Sequence, residues 1–172
     1  ASIADYYPHT IVISGLSKSL SMTGWRVGWL FAEDEVVRAA LILHGYVTTC
    51  ASTVSQKASL AAWTTEAEEA RRAARLTFRE RRDYLLKLLA DEAGLEAVRP
   101  DGAFYTMVKT GGIASSMKVA EAALSQGVIT VPGSAFGIEG EGFLRVSFCA
   151  NHDVLAEGVS RLAEALQSLR RD

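Results

Sequence analysis

Apolar residues recur along this chain at two spacings, and the switches between them mark out its elements. Residues 11–13 and 27–32 are short β-branched and aromatic runs bounded by Gly and Ser, which predicts buried strands. From 33 to 48 the period turns helical, with Val36, Val37, Ala40, Leu41 and Val47 apolar, and residues 53–63 predict a second, shorter helix. Both helices need a sheet to cover. The longest periodic segment is 66–93, where Ala70, Ala74, Phe78, Leu85, Leu88 and Leu89 form one stripe and Gly94 supplies the stop. At ~1.5 Å per residue that helix is roughly 40 Å long, a length that commonly bridges two lobes.

Beyond it the spacing alternates again. Strands are predicted at 95–98 and 103–108 around a Pro100-Asp101-Gly102 turn, then a helix over 115–126 closed by Gly127, then a strand at 128–131. In the strand 143–149, Leu144, Val146 and Phe148 face one way while Arg145 and Ser147 face the other. A last helix, capped by Asn151 or Asp153, buries Leu155, Val159, Leu162, Leu166 and Leu169. The class is α/β, its later part an α+β pattern, with no internal repeat and no low-complexity linker.

At 172 residues and 49% hydrophobic composition, the chain can fill the core of one ordinary domain. Eighteen basic against twenty acidic residues leave a net charge of −2, which gives no global field for nucleic acid or anionic membrane. No apolar stretch approaches the ~20 residues of a membrane helix and no signal pattern opens the chain, so a soluble, cytoplasmic protein is expected. Cys50 and Cys149 sit far apart in apolar surroundings without metal-ligand or redox spacing, which predicts packed thiols. His9, His44 and His152 show no metal-ligand spacing, so no metal is expected. The first residue is Ala1, which follows either methionine removal or a cut.

The chemistry concentrates in the run Ser14-Gly15-Leu16-Ser17-Lys18-Ser19-Leu20-Ser21-Met22-Thr23-Gly24-Trp25-Arg26-Val27-Gly28. One lysine sits in a small-residue loop, with an arginine eight positions later at the mouth of a strand. Such a loop lets backbone and hydroxyl groups approach an anion while Arg26 grips it bidentately. A lone Lys in a Ser-rich loop is more often simply solvated. The whole string, however, resembles the S-K-x-x-x-M-x-G-x-R-x-G signature of class I/II aminotransferases, pyridoxal-phosphate enzymes of the fold type I architecture. The resemblance implies that Lys18 is the Schiff-base lysine, that Arg26 binds the cofactor phosphate, and that Ser17 lies beside it. Many relatives carry Ser or Thr where this chain has Gly15, so a backbone group replaces one phosphate contact there. A lysine must be deprotonated to attack an aldehyde, and a neighbouring cation with partial burial favours the neutral amine.

Arg145 stands on the polar face of an otherwise apolar strand, where an unpaired guanidinium is expensive to bury. Alone, that reads as a structural salt bridge. Yet Phe143-Leu144-Arg145-Val146-Ser147-Phe148 resembles the R-x-S-F strand of the same family, whose Arg grips the substrate α-carboxylate. Pro100-Asp101-Gly102-Ala103-Phe104-Tyr105 and Val131-Pro132-Gly133-Ser134-Ala135-Phe136-Gly137 resemble two further family segments in order. They support the fold, carry no catalytic role, and the second lines the substrate entrance. The run Arg71, Arg72, Arg75, Arg79, Arg81, Arg82 interleaves with Glu68, Glu69 and Glu80 and is expected to be a solvated helix face.

The resemblance covers essentially the whole chain but only the C-terminal half of a family member. It implies that residues 1–64 are the C-terminal portion of the cofactor-binding large domain and that 65–172, with the long linking helix, form the small domain. The family's Asp at the pyridine nitrogen, its Tyr and Asn at the phenolic oxygen and its N-terminal phosphate loop have no counterpart before Lys18. Asp5-Tyr6-Tyr7 lies too close to Lys18 to supply them. The chain is therefore expected to be a C-terminal fragment, cloned or proteolysed, or one piece of a split enzyme, inactive without the missing N-terminal half and homodimeric when whole. The expected activity is transamination between an α-amino acid and a 2-oxo acid. The competing readings are a pyridoxal-phosphate lyase on the same scaffold and a non-catalytic, partner-binding fragment. No Arg occurs between Arg38 and Arg71, where dicarboxylate-specific relatives place one, and Thr48-Thr49-Cys50-Ala51-Ser52 is expected to face a partner subunit's site.

Overall fold

The computed structural model describes residues 2–113 and 115–170, and the chain divides into two compact units, residues 1–74 and 75–172. In the first, β1 (Val12–Gly15) and β2 (Gly28–Phe31) pair antiparallel, with Val12 opposite Phe31 and Gly15 opposite Gly28. Close backbone approach favours glycine where the ribbon opens: a Cβ on Gly28 would stand 2.9 Å from the Ser14 carbonyl oxygen, and one on Gly15 3.1 Å from that of Val27. Next come α1 (Asp34–Val47), which places Asp34 and Glu35 in its first turn against the helix dipole, and α2 (Thr53–Ser59), which tightens into a 3₁₀ turn at Leu60–Trp63. Trp29 and Trp63 meet with ring centroids 5.9 Å apart.

This unit corrects the expectation of buried strands. Ile13 is 77% exposed, Phe31 64% and Tyr46, on α1, 90%. Among the described residues of the unit, only Leu16 and Ala62 are buried hydrophobics. β-Branched and aromatic composition identifies strands correctly, but among the described residues little packs over them.

Helix α3 (Thr65–Asp91) begins in the first unit and ends in the second. Its apolar stripe is buried only from Leu85 onward, with Phe78 half-buried and Ala70 and Ala74 exposed. The second unit is built on a three-stranded antiparallel sheet in the order β3 (Tyr105–Lys109), β5 (Phe143–Ser147), β4 (Val131–Pro132). Leu144 from β5, Phe148 just past its end, Val108 from β3 and Leu85 and Leu89 from α3 are almost fully buried. With them pack Val119 and Ala123 of α4 (Ser116–Ser125) and Leu155, Val159, Leu162 and Leu166 of α5 (His152–Leu169). Each of the Leu, Val and Phe side chains contributes about 1.5–3 kcal/mol by leaving water. Ser115 caps α4 through Lys118 N–H and Asn151 caps α5 through Val154 N–H, so Asn151 takes the role shared in expectation with Asp153.

Several boundaries differ from the sequence reading. The expected strand at 128–131 pairs only from Val131, and that at 95–98 shrinks to a bridge between Ala97 and Val108. Both cysteines are exposed rather than packed. The arginine-rich helix face is not merely solvated either, since Arg81 donates to the Cys149 carbonyl, Arg82 to the Pro100 carbonyl at 3.1 Å and Arg71 to the Ala62 carbonyl at 2.7 Å. No helix of the described residues is long and apolar enough to cross a membrane.

Candidate functional site

The loop between β1 and β2 is hung on one buried side chain. Leu16 is 4% exposed, and its carbonyl accepts from the N–H groups of Leu20 at 3.2 Å and Met22 at 3.4 Å, closing a turn that contains Ser17 and Lys18. A 3₁₀ turn at Thr23–Trp25 follows, and Arg26 leaves it in the left-handed region at φ 51°. Ser21 is also left-handed, at φ 55°. Such a backbone costs non-glycine residues on the order of 1–3 kcal/mol and persists where the surroundings dictate it, often at functional sites. Here it turns the Arg26 guanidinium back across the loop, where Nη1 donates to the Thr23 carbonyl at 3.1 Å.

The result is an open cleft of about 440 Å³ lined by Ser14, Gly15, Ser17, Lys18, Arg26, Val27 and Gly28. All four positions expected around the cofactor in this unit, Gly15, Ser17, Lys18 and Arg26, therefore meet in one place. The donor set is a guanidinium, hydroxyls and close-approaching glycine backbone, which suits a phosphate, beside a primary amine, which suits an aldehyde. These residues fit pyridoxal phosphate. Two parts of the expected chemistry are not supplied here: Lys18 is exposed, so this chain does not bury it, and no carboxylate is among the described lining residues.

Arg145 belongs to the other unit and is held by β5, the central strand. It stands opposite Met107 on β3 and Val131 on β4, with its neighbours Leu144 and Val146 turned to the core face. The salt bridge that the strand pattern alone suggests is absent: among the described residues no carboxylate pairs with Arg145. Two aromatic rings meet it instead, with its guanidinium carbon 4.3 Å from the Tyr105 centroid and 4.8 Å from that of Phe136. From the sequence, Phe136 is expected only within a segment lining the substrate entrance and Tyr105 only as support for the fold; neither is expected against Arg145. The available signal was register, because Tyr105 sits two residues along β3 from the partner of Arg145, on the same face.

The turn bearing Phe136 is rigidly tied. Ser116, fully buried, shares a hydrogen bond of 3.2 Å between its hydroxyl and that of Ser134. Its N–H donates to Glu141 Oε1 at 2.6 Å, and Gly142 N–H donates to the same oxygen at 3.1 Å. The hydrogen bonds from Ser116 and then Gly142 hold the Glu141 carboxyl below its usual value of 4.5. Among the described residues no group of three or more His, Cys, Asp and Glu could hold a metal ion.

Comparison with known proteins points one way. The family model for aminotransferase class I and II matches residues 1–166. The probable N-acetyl-LL-diaminopimelate aminotransferase of Bacillus subtilis (strain 168) is 46% identical over 167 residues, which is 94% of this chain and 41% of that protein. The aspartate/prephenate aminotransferase of Thermus thermophilus is 39% identical over 163 residues, covering 92% of this chain and 41% of its own length. Among solved structures, an aromatic aminotransferase from Pyrococcus horikoshii OT3 superposes with a TM-score of 0.85 at 33% identity, over 94% of this chain and 44% of its own. An aspartate aminotransferase from Thermus thermophilus, solved with maleate, gives 0.85 at 36% identity over 95% of this chain and 43% of its own. The chain thus spans about two-fifths of the length of the relatives it matches.

Proposed function

The chain belongs to the class I and II aminotransferases, and from that membership we propose that it supplies the lysine-bearing part of an enzyme that moves an amino group between an α-amino acid and a 2-oxo acid. The observation that carries this is the cleft in which Lys18, Arg26, Ser17 and Gly15 converge. In this reading residues 1–64 are part of the cofactor-binding large domain and residues 65–172 the small domain. The active assembly contains an N-terminal half and is a homodimer, and the two unpaired cysteines suit a reducing, cytoplasmic setting.

Arg26 and the Ser17 hydroxyl, with backbone at Gly15, would hold the cofactor phosphate, and the Lys18 amine would stand at its aldehyde. Pyridoxal phosphate, when bound, supplies a conjugated ring that takes up the electrons released when a bond to the substrate α-carbon breaks. The Lys18 amine would carry the proton to and from that carbon, a role worth ~10²–10⁴-fold in rate. Arg145 holds the substrate carboxylate, and the left-handed backbone at Arg26 fixes the phosphate clamp before the ligand arrives. The maleate of the Thermus neighbour is a dicarboxylate, which supports carboxylate recognition on this scaffold.

The test is borohydride reduction in the presence of pyridoxal phosphate, followed by peptide mapping, on the chain with and without an N-terminal half. The expected adduct is on Lys18, and Lys18→Ala removes it. Reduction onto a different lysine overturns the assignment. Product analysis separates the reaction types: a 2-oxo acid formed as a second 2-oxo acid is aminated supports transfer, whereas ammonia and pyruvate from one substrate point to a lyase.

A further inference from the structure

We infer that Tyr105 and Phe136 form an aromatic clasp that positions Arg145 and sets how tightly the site discriminates for a carboxylate. This rests on the reading of Arg145 as the substrate-carboxylate residue and adds two positioning residues to it.

The clasp closes from the two flanks of the central strand. Tyr105 comes from β3, diagonal to Arg145, and its ring is braced by Phe104 at 4.3 Å between centroids. Phe136 comes from the 3₁₀ turn at Gly133–Phe136 that follows β4 on the opposite flank. The guanidinium carbon lies over both rings, at 4.3 and 4.8 Å, within the range of a cation–π contact. Neither ring carries a charge, so Arg145 is held in place with its charge still available to a ligand. A protein carboxylate would hold it equally well and cancel that charge. The five N–H donors of a guanidinium lie in a fixed planar fork, so confining the group pre-orients the donors a carboxylate needs.

The turn is built to keep Phe136 there. Gly133 and Gly140 touch backbone to backbone, and a Cβ on Gly133 would stand 2.7 Å from the Phe143 carbonyl oxygen. Ser134 is tied to the buried Ser116, as described above. Phe136 itself is 52% exposed and outside the hydrophobic core, so its ring is spent on Arg145 rather than on packing.

The experiment uses the chain assembled with its N-terminal half, and compares Phe136→Leu, Tyr105→Leu, Phe136→Tyr and Arg145→Lys. Propionate serves as an unreactive monocarboxylate probe and propylamine as its counterpart without a carboxylate. Each leucine variant is expected to weaken propionate binding and raise KM for the amino acid by about 3- to 30-fold, with kcat and propylamine binding unchanged. Phe136→Tyr, which keeps the ring, is expected to bind propionate as the parent does, and borohydride trapping at Lys18 is expected to be the same in all. If Arg145→Lys weakens propionate while both leucine variants do not, the clasp is refuted and the role of Arg145 stands. If Arg145→Lys leaves propionate binding unaltered, the carboxylate role itself falls. Equal losses in Phe136→Tyr and Phe136→Leu would also refute the clasp, by showing that the turn and not the ring matters.

Discussion

The two units of this chain divide stability and chemistry unequally. Among the described residues, 75–172 hold fifteen buried hydrophobic side chains in one cluster, around a sheet whose central strand is paired on both sides. Residues 1–74 carry Lys18 and Arg26, yet bury only Leu16 and Ala62 among their described hydrophobics and leave α1 with no buried residue. Lys18 and Arg26 therefore stand on the less self-sufficient scaffold, and Arg145, proposed to hold the carboxylate, on the one with its own core. A local cluster of donors needs only a tight loop and one anchor. Holding a long arginine in a fixed pose needs a packed sheet beneath it.

The strongest way to break this contrast is to attack the core. Leu144→Ala should destabilise the 75–172 unit by about 2–5 kcal/mol in denaturant unfolding, because it leaves a cavity between β5 and the helices. A loss below 1 kcal/mol would mean that the cluster does not carry the unit. Next in size, Asn151→Ala should cost about 1 kcal/mol by freeing the Val154 N–H at the start of α5.

A pH series sharpens the contrast more finely. Glu141 has its folded-state pKa depressed by the hydrogen bonds from Ser116 and Gly142. Its contribution is therefore fully present above the ordinary carboxylate value of 4.5 and is lost as pH falls through the lower folded value. Glu141→Gln should flatten the acid limb of the 75–172 unit and leave the pH dependence of its stability near neutrality unchanged. The smallest effect belongs to the other unit: Leu41→Ser, at a position 62% exposed on α1, should change stability by within about 0.5 kcal/mol. A loss as large as that of Leu144→Ala would show that something covers α1.

The pattern of the chain revealed its helices to within about two residues, because periodicity and caps are local properties. The cleft was legible as well, since Gly15, Ser17, Lys18 and Arg26 are close in sequence and one loop closure brings them together. Burial was not legible where it depends on what lies beyond the segment. Ile13 and Leu144 look alike as strand residues, but the first is 77% exposed and the second 1%. The Arg145 clasp was missed for a related reason, as Tyr105 and Phe136 reach it only through strand register and a turn across the sheet. Arg81 and Arg82 looked like solvent-facing members of a mixed-charge helix, and only the fold reveals the carbonyls they bind.

The touching backbones of Gly133 and Gly140 bear on how this sequence can change. A Cβ on Gly140 would lie 2.7 Å from the Gly133 carbonyl carbon, so neither position has room for even a methyl group while the other loop stays in place. No single substitution leads away from that arrangement by small steps, and a mutational library over both positions should return glycine at each. The path of the turn that carries Phe136 is thus inherited whole, whatever changes elsewhere.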